Sequence, residues 1–167
     1  MLPPEVYEEL VNGVLKKRAT LRAMHILERT DKTEAQLRKK LEESEYPKEA
    51  VESAIAYVTS YGYLDDRRYA EHYIEWKKQG KGKARLKMEL VQKGISREII
   101  EEVLESTDFG ETREMIRQII LKKRKTNIPM NEKEKQKLYG FLMRKGFPSS
   151  DILAVMREEE WLNNIEF

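Results

Sequence analysis

Residues 61–104 read YGYLDDRRYAEHYIEWKKQGKGKARLKMELVQKGISREIIEEVL, and their punctuation decides the fold. Gly62-Tyr63-Leu64-Asp65-Asp66 opens the stretch, Gly80-Lys81-Gly82-Lys83 breaks it, and Lys93-Gly94-Ile95-Ser96 breaks it again. Glycine clusters of this kind mark turns. The segments between them have helical spacing: Tyr69, Ala70, Tyr73 and Ile74, then Leu86 and Leu90, then Ile99, Ile100, Val103 and Leu104. Asp65 or Asp66 suits the N-cap of the first helix and Ser96 that of the third. Ile95 and Ile100 stand at the spacing of a hydrophobic staple.

The same plan recurs on both sides. Upstream, residues 3–29 read as one or two helices with Val6, Leu10, Val14 and Leu15 in period, weakened by Gly13. A clearer helix over 21–29 turns Ala23, Met24, Ile26 and Leu27 inward. Thr33-Glu34-Ala35-Gln36 has the capping-box form, Leu37 and Leu41 follow one turn apart, and Pro47 stops that helix. A third helix over 48–60 buries Val51, Ala54, Ile55 and Val58. Downstream, from near Asp108, Met115, Ile116, Ile119 and Ile120 form one stripe, running into Lys122-Lys123-Arg124-Lys125. A longer loop with Asn127 and Pro129 follows, then Leu138 and Leu142, the turn Gly146-Phe147-Pro148, and Ile152, Val155 and Met156.

Superposed, the three units agree column by column, the signature of an internal repeat. Leu37, Leu86 and Leu138 share a column, as do Leu41, Leu90 and Leu142; the offsets are 49 and 52 residues. Tyr46, Ile95 and Phe147 form an apolar turn column, each followed five residues later by Val51, Ile100 or Ile152. Gly94 and Gly146 share a column with Glu45, which puts in question at Glu45 the left-handed cap that glycine favours. Pro47 and Pro148 stand in the column of Ser96, so their helices are expected to start slightly later. The chain therefore reads as all-α, three tandem three-helix repeats of helix-turn-helix-like form: residues 1–63 an N-terminal helix plus repeat 1, 64–107 repeat 2, and 108–167 repeat 3.

Composition agrees. Apolar residues make up 40% and charged residues 37%, which suits small helices with narrow buried stripes and wide solvated faces. There is no cysteine, which removes disulfides and thiolate chemistry and is compatible with a cytoplasmic protein. No apolar run approaches the ~20 residues of a membrane span. The net charge of +2 hides segregation: −2 over residues 1–65, +6 over 66–97, −6 over 98–112 and +4 over 113–167. Local charge is what a polyanion meets, so the second and fourth segments are candidate phosphate-binding surfaces, although charged helices are also simply soluble helices.

Catalysis finds little support. His25 and His72 occupy matching places in two repeats, where the third has Gln118, so they read as surface or boundary residues. Asp65-Asp66 is explained by a helix N-terminus, and Glu158-Glu159-Glu160 by a solvated face. Gly80-Lys81-Gly82-Lys83-Ala84 is no phosphate loop, because Lys77 stands where the first glycine is needed and Ala84 where a hydroxyl would hold magnesium. Binding is better supported. Lys77, Lys78, Lys81, Lys83, Arg85 and Lys87 cluster beside Trp76, with Lys83 and Lys87 one turn apart. Arg67 and Arg68 precede them, and Lys122, Lys123, Arg124 and Lys125 form a second patch. Such residues would neutralise phosphates with weak sequence preference, or meet an acidic protein surface. Trp76, Tyr69 and Tyr73 could stack on bases, but at helical spacing aromatic residues are more often core.

Gly62-Tyr63-Leu64-Asp65-Asp66 followed by Arg68-Tyr69-Ala70, then Gly80-Lys81-Gly82, Arg85-Leu86, Glu89-Leu90 and Lys93-Gly94-Ile95, closely resembles the central signature of the RecX regulators. Residues 33–41, TEAQLRKKL, are similar to their first repeat. The resemblance covers residues ~20–160. It implies an elongated, curved array of three repeats that binds the RecA recombinase and its DNA filament. It also implies inhibition of filament extension, strand exchange and the coprotease activity behind the SOS response, by a cytoplasmic monomer without cofactor or catalysis. A helix-turn-helix-like DNA-binding transcriptional regulator is the alternative.

Overall fold

The structure is a computed structural model that describes residues 1–124 and 128–158. Lys125, Asn127, Glu159 and Glu160 lie outside the described residues. Among the described residues there are nine helices and no strand. They fall into three groups of three: α1 (Pro4–Arg29), α2 (Glu34–Glu43) and α3 (Lys48–Ser60); α4 (Asp66–Lys77), α5 (Lys83–Gln92) and α6 (Arg97–Ser106); α7 (Thr112–Lys123), α8 (Glu132–Arg144) and α9 (Ser149–Arg157). None is long and apolar enough to cross a membrane.

The helices start and stop where local chemistry dictates. Thr33 caps α2 by accepting from Gln36 N at 3.2 Å, while Gln36 Oε1 accepts from Thr33 N at 3.1 Å, a complete capping box. Asp65 accepts from Arg68 N at 3.1 Å, Ser96 from Ile99 N at 3.4 Å, and Asn131 from Glu134 N at 2.8 Å. Each second helix ends in the same two bonds. Glu45, Gly94 and Gly146 return N–H groups to Glu42, Val91 and Met143, and Tyr46, Ile95 and Phe147 return theirs to Leu41, Leu90 and Leu142. This is the Schellman pattern, and it needs a left-handed residue at the turn. Gly94 has φ 87° and Gly146 φ 90°, and Glu45 adopts the same region at φ 63° in spite of its side chain. The repeat thus overrides the residue preference at that column.

Two expectations change. Pro47 and Pro148 do not delay their helices: both occupy the N-cap itself, with extended backbone, and α3, α6 and α9 all begin one residue after that column. A proline needs no N–H there, and its fixed φ suits a helix entrance. Helix α1 runs unbroken through Gly13, yet Val6, Leu10 and Val14 stay exposed and only Ala19 and Ala23 are buried in it.

The chain divides into two compact units, Met1–His72 with Leu90–Val103, and Tyr73–Glu89 with the chain from Leu104 onward. The division runs through α4, α5 and α6, so the unit boundaries differ from the repeat boundaries. In the first unit, α1 packs on α3 through alanines one turn apart on each helix, Ala19 and Ala23 against a face holding Ala50 and Ala54. Small side chains bring the two backbones close. Leu37 and Leu41 of α2, Val51, Ile55 and Val58 complete this core with Leu64. The third repeat builds its core from Ile116, Ile120, Leu138, Leu142, Phe147, Ile152, Val155 and Met156, with Met130 from the loop. Each such buried aliphatic side chain contributes roughly 1.5–3 kcal/mol. In the middle repeat the column residues Leu86, Leu90, Ile95, Ile100, Val103 and Leu104 are buried as well.

Candidate nucleic-acid and partner interface

The basic cluster of the middle repeat is built around an acid. Glu89 of α5 is 9% exposed, and three donors converge on its carboxylate: Lys81 Nζ at 2.6 Å, Arg85 Nε at 2.8 Å and the Tyr73 hydroxyl at 2.7 Å. Arg85 and Glu89 are one turn apart on α5, Lys81 comes from the turn before it, and Tyr73 from α4. Burial pushes the Glu89 carboxyl up, but the bonds from Lys81, Tyr73 and Arg85 outweigh it and hold the group at about 2. The clamp ties α4, the Gly80–Gly82 turn and α5 together, and it uses two of the cations that the sequence offers to an outside anion.

The same turn is held from the third repeat. Gly82 N donates to Lys145 O at 2.7 Å. A Cβ on Gly82 would stand 2.2 Å from Gly146 O, and one on Gly146 would stand 2.3 Å from Arg85 N, so the two backbones touch with no room for a side chain.

Other basic candidates are also engaged. Arg67 forms an ion pair with Glu102. Arg68 donates to Gly62 O at 2.8 Å and Tyr63 O at 3.3 Å, closing the turn after α3. Lys78 pairs with Glu75 at 2.9 Å and donates to Asp108 O at 3.0 Å. Arg124 is 5% exposed, paired with Glu134 at 2.8 Å and bonded to Ile128 O, so its cation closes the loop after α7 from inside. Lys87 is half-buried.

A smaller set faces solvent. Lys83 is exposed, 5.0 Å above the Phe109 ring. Trp76 is 75% exposed and therefore not the core residue its spacing suggested, and the half-buried Lys77 lies 3.8 Å above its ring. Lys122 is exposed and lines, with Lys78, a cleft of about 650 Å³ between the end of α4 and α7. Lys123 is exposed, 3.5 Å above Phe141. Lys125 lies outside the described residues. Tyr69 and Tyr73 are half-buried, and His25 and His72 are exposed. In the first unit, Tyr57, Tyr61 and Tyr63 form an exposed aromatic row, with Tyr61 stacked on Tyr63 at 5.8 Å.

One basic surface escaped the sequence. Lys133, Lys137 and Arg144 of α8 are all exposed, and among the described residues none has an ion pair or hydrogen bond. The run Glu132-Lys133-Glu134-Lys135-Gln136-Lys137 alternates in charge and nets only +1 in one dimension. Only a helical wheel separates its acids from Lys133 and Lys137.

Three family models match in chain order: RecX, first three-helix domain, over residues 19–57; RecX, second three-helix domain, over 65–104; and RecX, third three-helix domain, over 111–156. The chain is similar to regulatory protein RecX of Clostridium tetani, 36% identical over 140 residues, covering 81% of this chain and 64% of that relative. It is also 36% identical over 150 residues to regulatory protein RecX of Caldanaerobacter subterraneus, covering 89% and 74%. A crystal structure of regulatory protein RecX superposes with a TM-score of 0.79 at 26% identity, covering 95% of this chain and 79% of that one. RecX from Lactobacillus salivarius, at 18% identity and a TM-score of 0.73, covers 89% of this chain and 99% of its own and shares the fold.

Proposed function

The chain belongs to the RecX family of regulatory proteins, and on that premise we propose that it regulates the RecA recombinase. It binds RecA and its DNA filament and inhibits filament extension, strand exchange and coprotease activity, and so modulates DNA repair and the SOS response. The observation that carries this reading is the match of all three RecX three-helix domains, in order, along one chain. Tandem repeats suit a partner that is itself repetitive, because several weak contacts on one chain raise the effective concentration for the next. Regulation of this kind needs binding surfaces and no bond-making residues, and the protein acts as a cytoplasmic monomer without cofactor. Lys83, Lys122 and Lys123 are the predicted cations that remain turned outward for DNA or an acidic face of RecA, whereas Lys81, Arg85, Arg67, Arg68 and Arg124 support the fold.

The test is a titration of the protein into RecA assembling on single-stranded DNA, followed by strand exchange. The expected result is arrested filament growth and falling exchange at or below stoichiometric amounts. Unchanged assembly, ATPase and exchange at equimolar protein would overturn the proposal. Footprinting on genomic DNA separates the alternative, since a helix-turn-helix transcriptional regulator protects a preferred site and a filament regulator protects none.

A further inference from the structure

We propose that the solvent face of α8, carrying Lys133, Lys137 and Arg144, is a docking surface for the phosphodiester backbone of a nucleic-acid strand. The inference rests on the reading that this protein works on DNA filaments and names a surface for that contact.

The geometry is that of a helix with one side in the core. Leu138 and Leu142 are 4% and 0% exposed and fix the inward direction. At 3.6 residues per turn, positions 133, 137, 140 and 144 fall within an arc of about 60° on the opposite side. Three of the four are exposed cations, and the fourth is Gly140. Lys133 and Lys137 are separated by about 6 Å along the axis and Lys137 and Arg144 by about 10 Å, an interval that lets one strand pass over all three. Gly140 leaves the face open between Lys137 and Arg144, and a Cβ there would come 3.3 Å from Arg144 Nη1.

Charge argues for the occupant. A cation already held by a carboxylate must break that pair before it can neutralise a phosphate, as Lys81 and Arg85 would have to break from Glu89. Lys133, Lys137 and Arg144 have no such competitor among the described residues. The two acids of the first turn point elsewhere: Glu134 is held by Arg124 at 2.8 Å, and Glu132 lies 4.0 Å from Lys135. Beside the face, Lys123 at 3.5 Å and Lys145 at 5.4 Å sit over the Phe141 ring and widen the positive strip. A flat, unpaired, positive helix face with no acid on it is complementary to a polyanion, and the three free cations release counterions when it binds.

The experiment measures binding of the full chain to a labelled single-stranded oligonucleotide and to its duplex across a series of salt concentrations. The variant Lys133→Gln/Lys137→Gln/Arg144→Gln is compared with the wild type, and Lys133→Arg/Lys137→Arg/Arg144→Lys controls for folding and charge. The expected result is a loss of tenfold or more in affinity at low salt and a salt slope shallower by about 2, with binding retained in the charge-conserving variant. An unchanged slope in the glutamine variant overturns the proposal. So does intact DNA binding with lost RecA binding, which assigns the face to an acidic protein surface. Inhibition of RecA is measured in parallel: a protein that inhibits RecA but whose glutamine variant binds DNA normally sinks this inference and leaves the regulatory reading standing. A protein that never touches RecA, but loses DNA binding with these residues, does the reverse.

Discussion

The turn at residues 93–94 and the turn at residues 145–146 dock alike on the start of the second helix of the preceding repeat, but by different chemistry. At the first joint a side chain does the joining. Thr33, fully buried, caps α2 and donates its hydroxyl to Lys93 O at 2.6 Å, while Asp66 accepts from Glu34 N at 2.8 Å. At the second joint Gly82 replaces the threonine, its own N–H donates to Lys145 O at 2.7 Å, and backbone meets backbone. The Glu89 clamp stands one turn away and holds Lys81 and Arg85 on either side of Gly82. One joint is specified by a hydroxyl, and the other by the absence of side chains. Sensitivity to substitution should divide accordingly.

The sharpest break is expected at the second joint. In Gly82→Ala the new methyl meets Gly146 O, Gly146 C and Phe147 N, all backbone, at 2.2–2.8 Å. In Gly146→Ala it meets Arg85 N and adds a strained φ. Neither neighbour can turn aside, so each variant should cost about 3 kcal/mol or more, read as a lower urea midpoint. A cost below about 1 kcal/mol would mean that the two turns are not in contact in solution. The clamp beside them gives the next effect. The Glu89 carboxyl lies at about 2 in the folded state against 4.5 for the free side chain. Its contribution is therefore complete above pH ~4.5, and is lost as pH falls toward ~2, by on the order of 3 kcal/mol. Glu89→Gln should flatten that acid limb of the stability profile. A wild-type profile level between those pH values would show that Glu89 is not clamped.

The first joint should be more forgiving, and repairable. A Cβ on Gly94 meets the Ala35 methyl at 2.3 Å, with the nearest backbone atom at 3.8 Å. Gly94→Ala should cost about 2 kcal/mol from crowding and φ. Ala35→Gly should recover part of it, giving a favourable coupling of about 1 kcal/mol in a double-mutant cycle. No comparable repair exists for Gly146, because removing the Arg85 Cβ at 2.5 Å would still leave the Arg85 main-chain N at 2.3 Å. Thr33→Val should cost slightly less, about 1–2 kcal/mol, since it removes one cap and leaves the Lys93 carbonyl without its donor. Thr33→Ser should restore most of that loss, and equal instability of serine and valine would remove the hydroxyl from the account.

This contrast also marks how far the sequence carries. The capping box, the leucine columns and the left-handed glycine caps at Gly94 and Gly146 were legible because helix period and cap chemistry are local, confined to a few residues; the same cap at Glu45 was not, since its residue type argues against it. Whether a cation is available is not local in that sense. Lys81 and Glu89 are eight residues apart and meet only because the turn folds back on α5, and Arg124 is buried where it meets Glu134, ten residues on, and the carbonyl of Ile128. Gly82 looked like turn punctuation, but its constraint comes from Gly146, 64 residues away. The basic face of α8 was missed for the opposite reason: its acids and bases alternate in sequence and separate only once wound into a helix.

The smallest effect asks why the turn column holds glycine at two positions out of three. Glu45 has φ 63° and makes the same two terminal hydrogen bonds as Gly94 and Gly146, and it is exposed. If left-handed backbone alone selected glycine, Glu45→Gly should stabilise clearly, because a side chain in that region costs about 1 kcal/mol. Glycine also gives the unfolded chain more freedom, which offsets much of that gain, so the expected change is within about 0.5 kcal/mol of zero. Set beside a loss of about 2 kcal/mol for Gly94→Ala, a near-neutral Glu45→Gly assigns the column to docking, since the turn of the first repeat tolerates a side chain and the other two turns are pressed against a neighbour. A gain of 1 kcal/mol or more would assign it to φ instead, and the two joints would then differ less than their distances suggest.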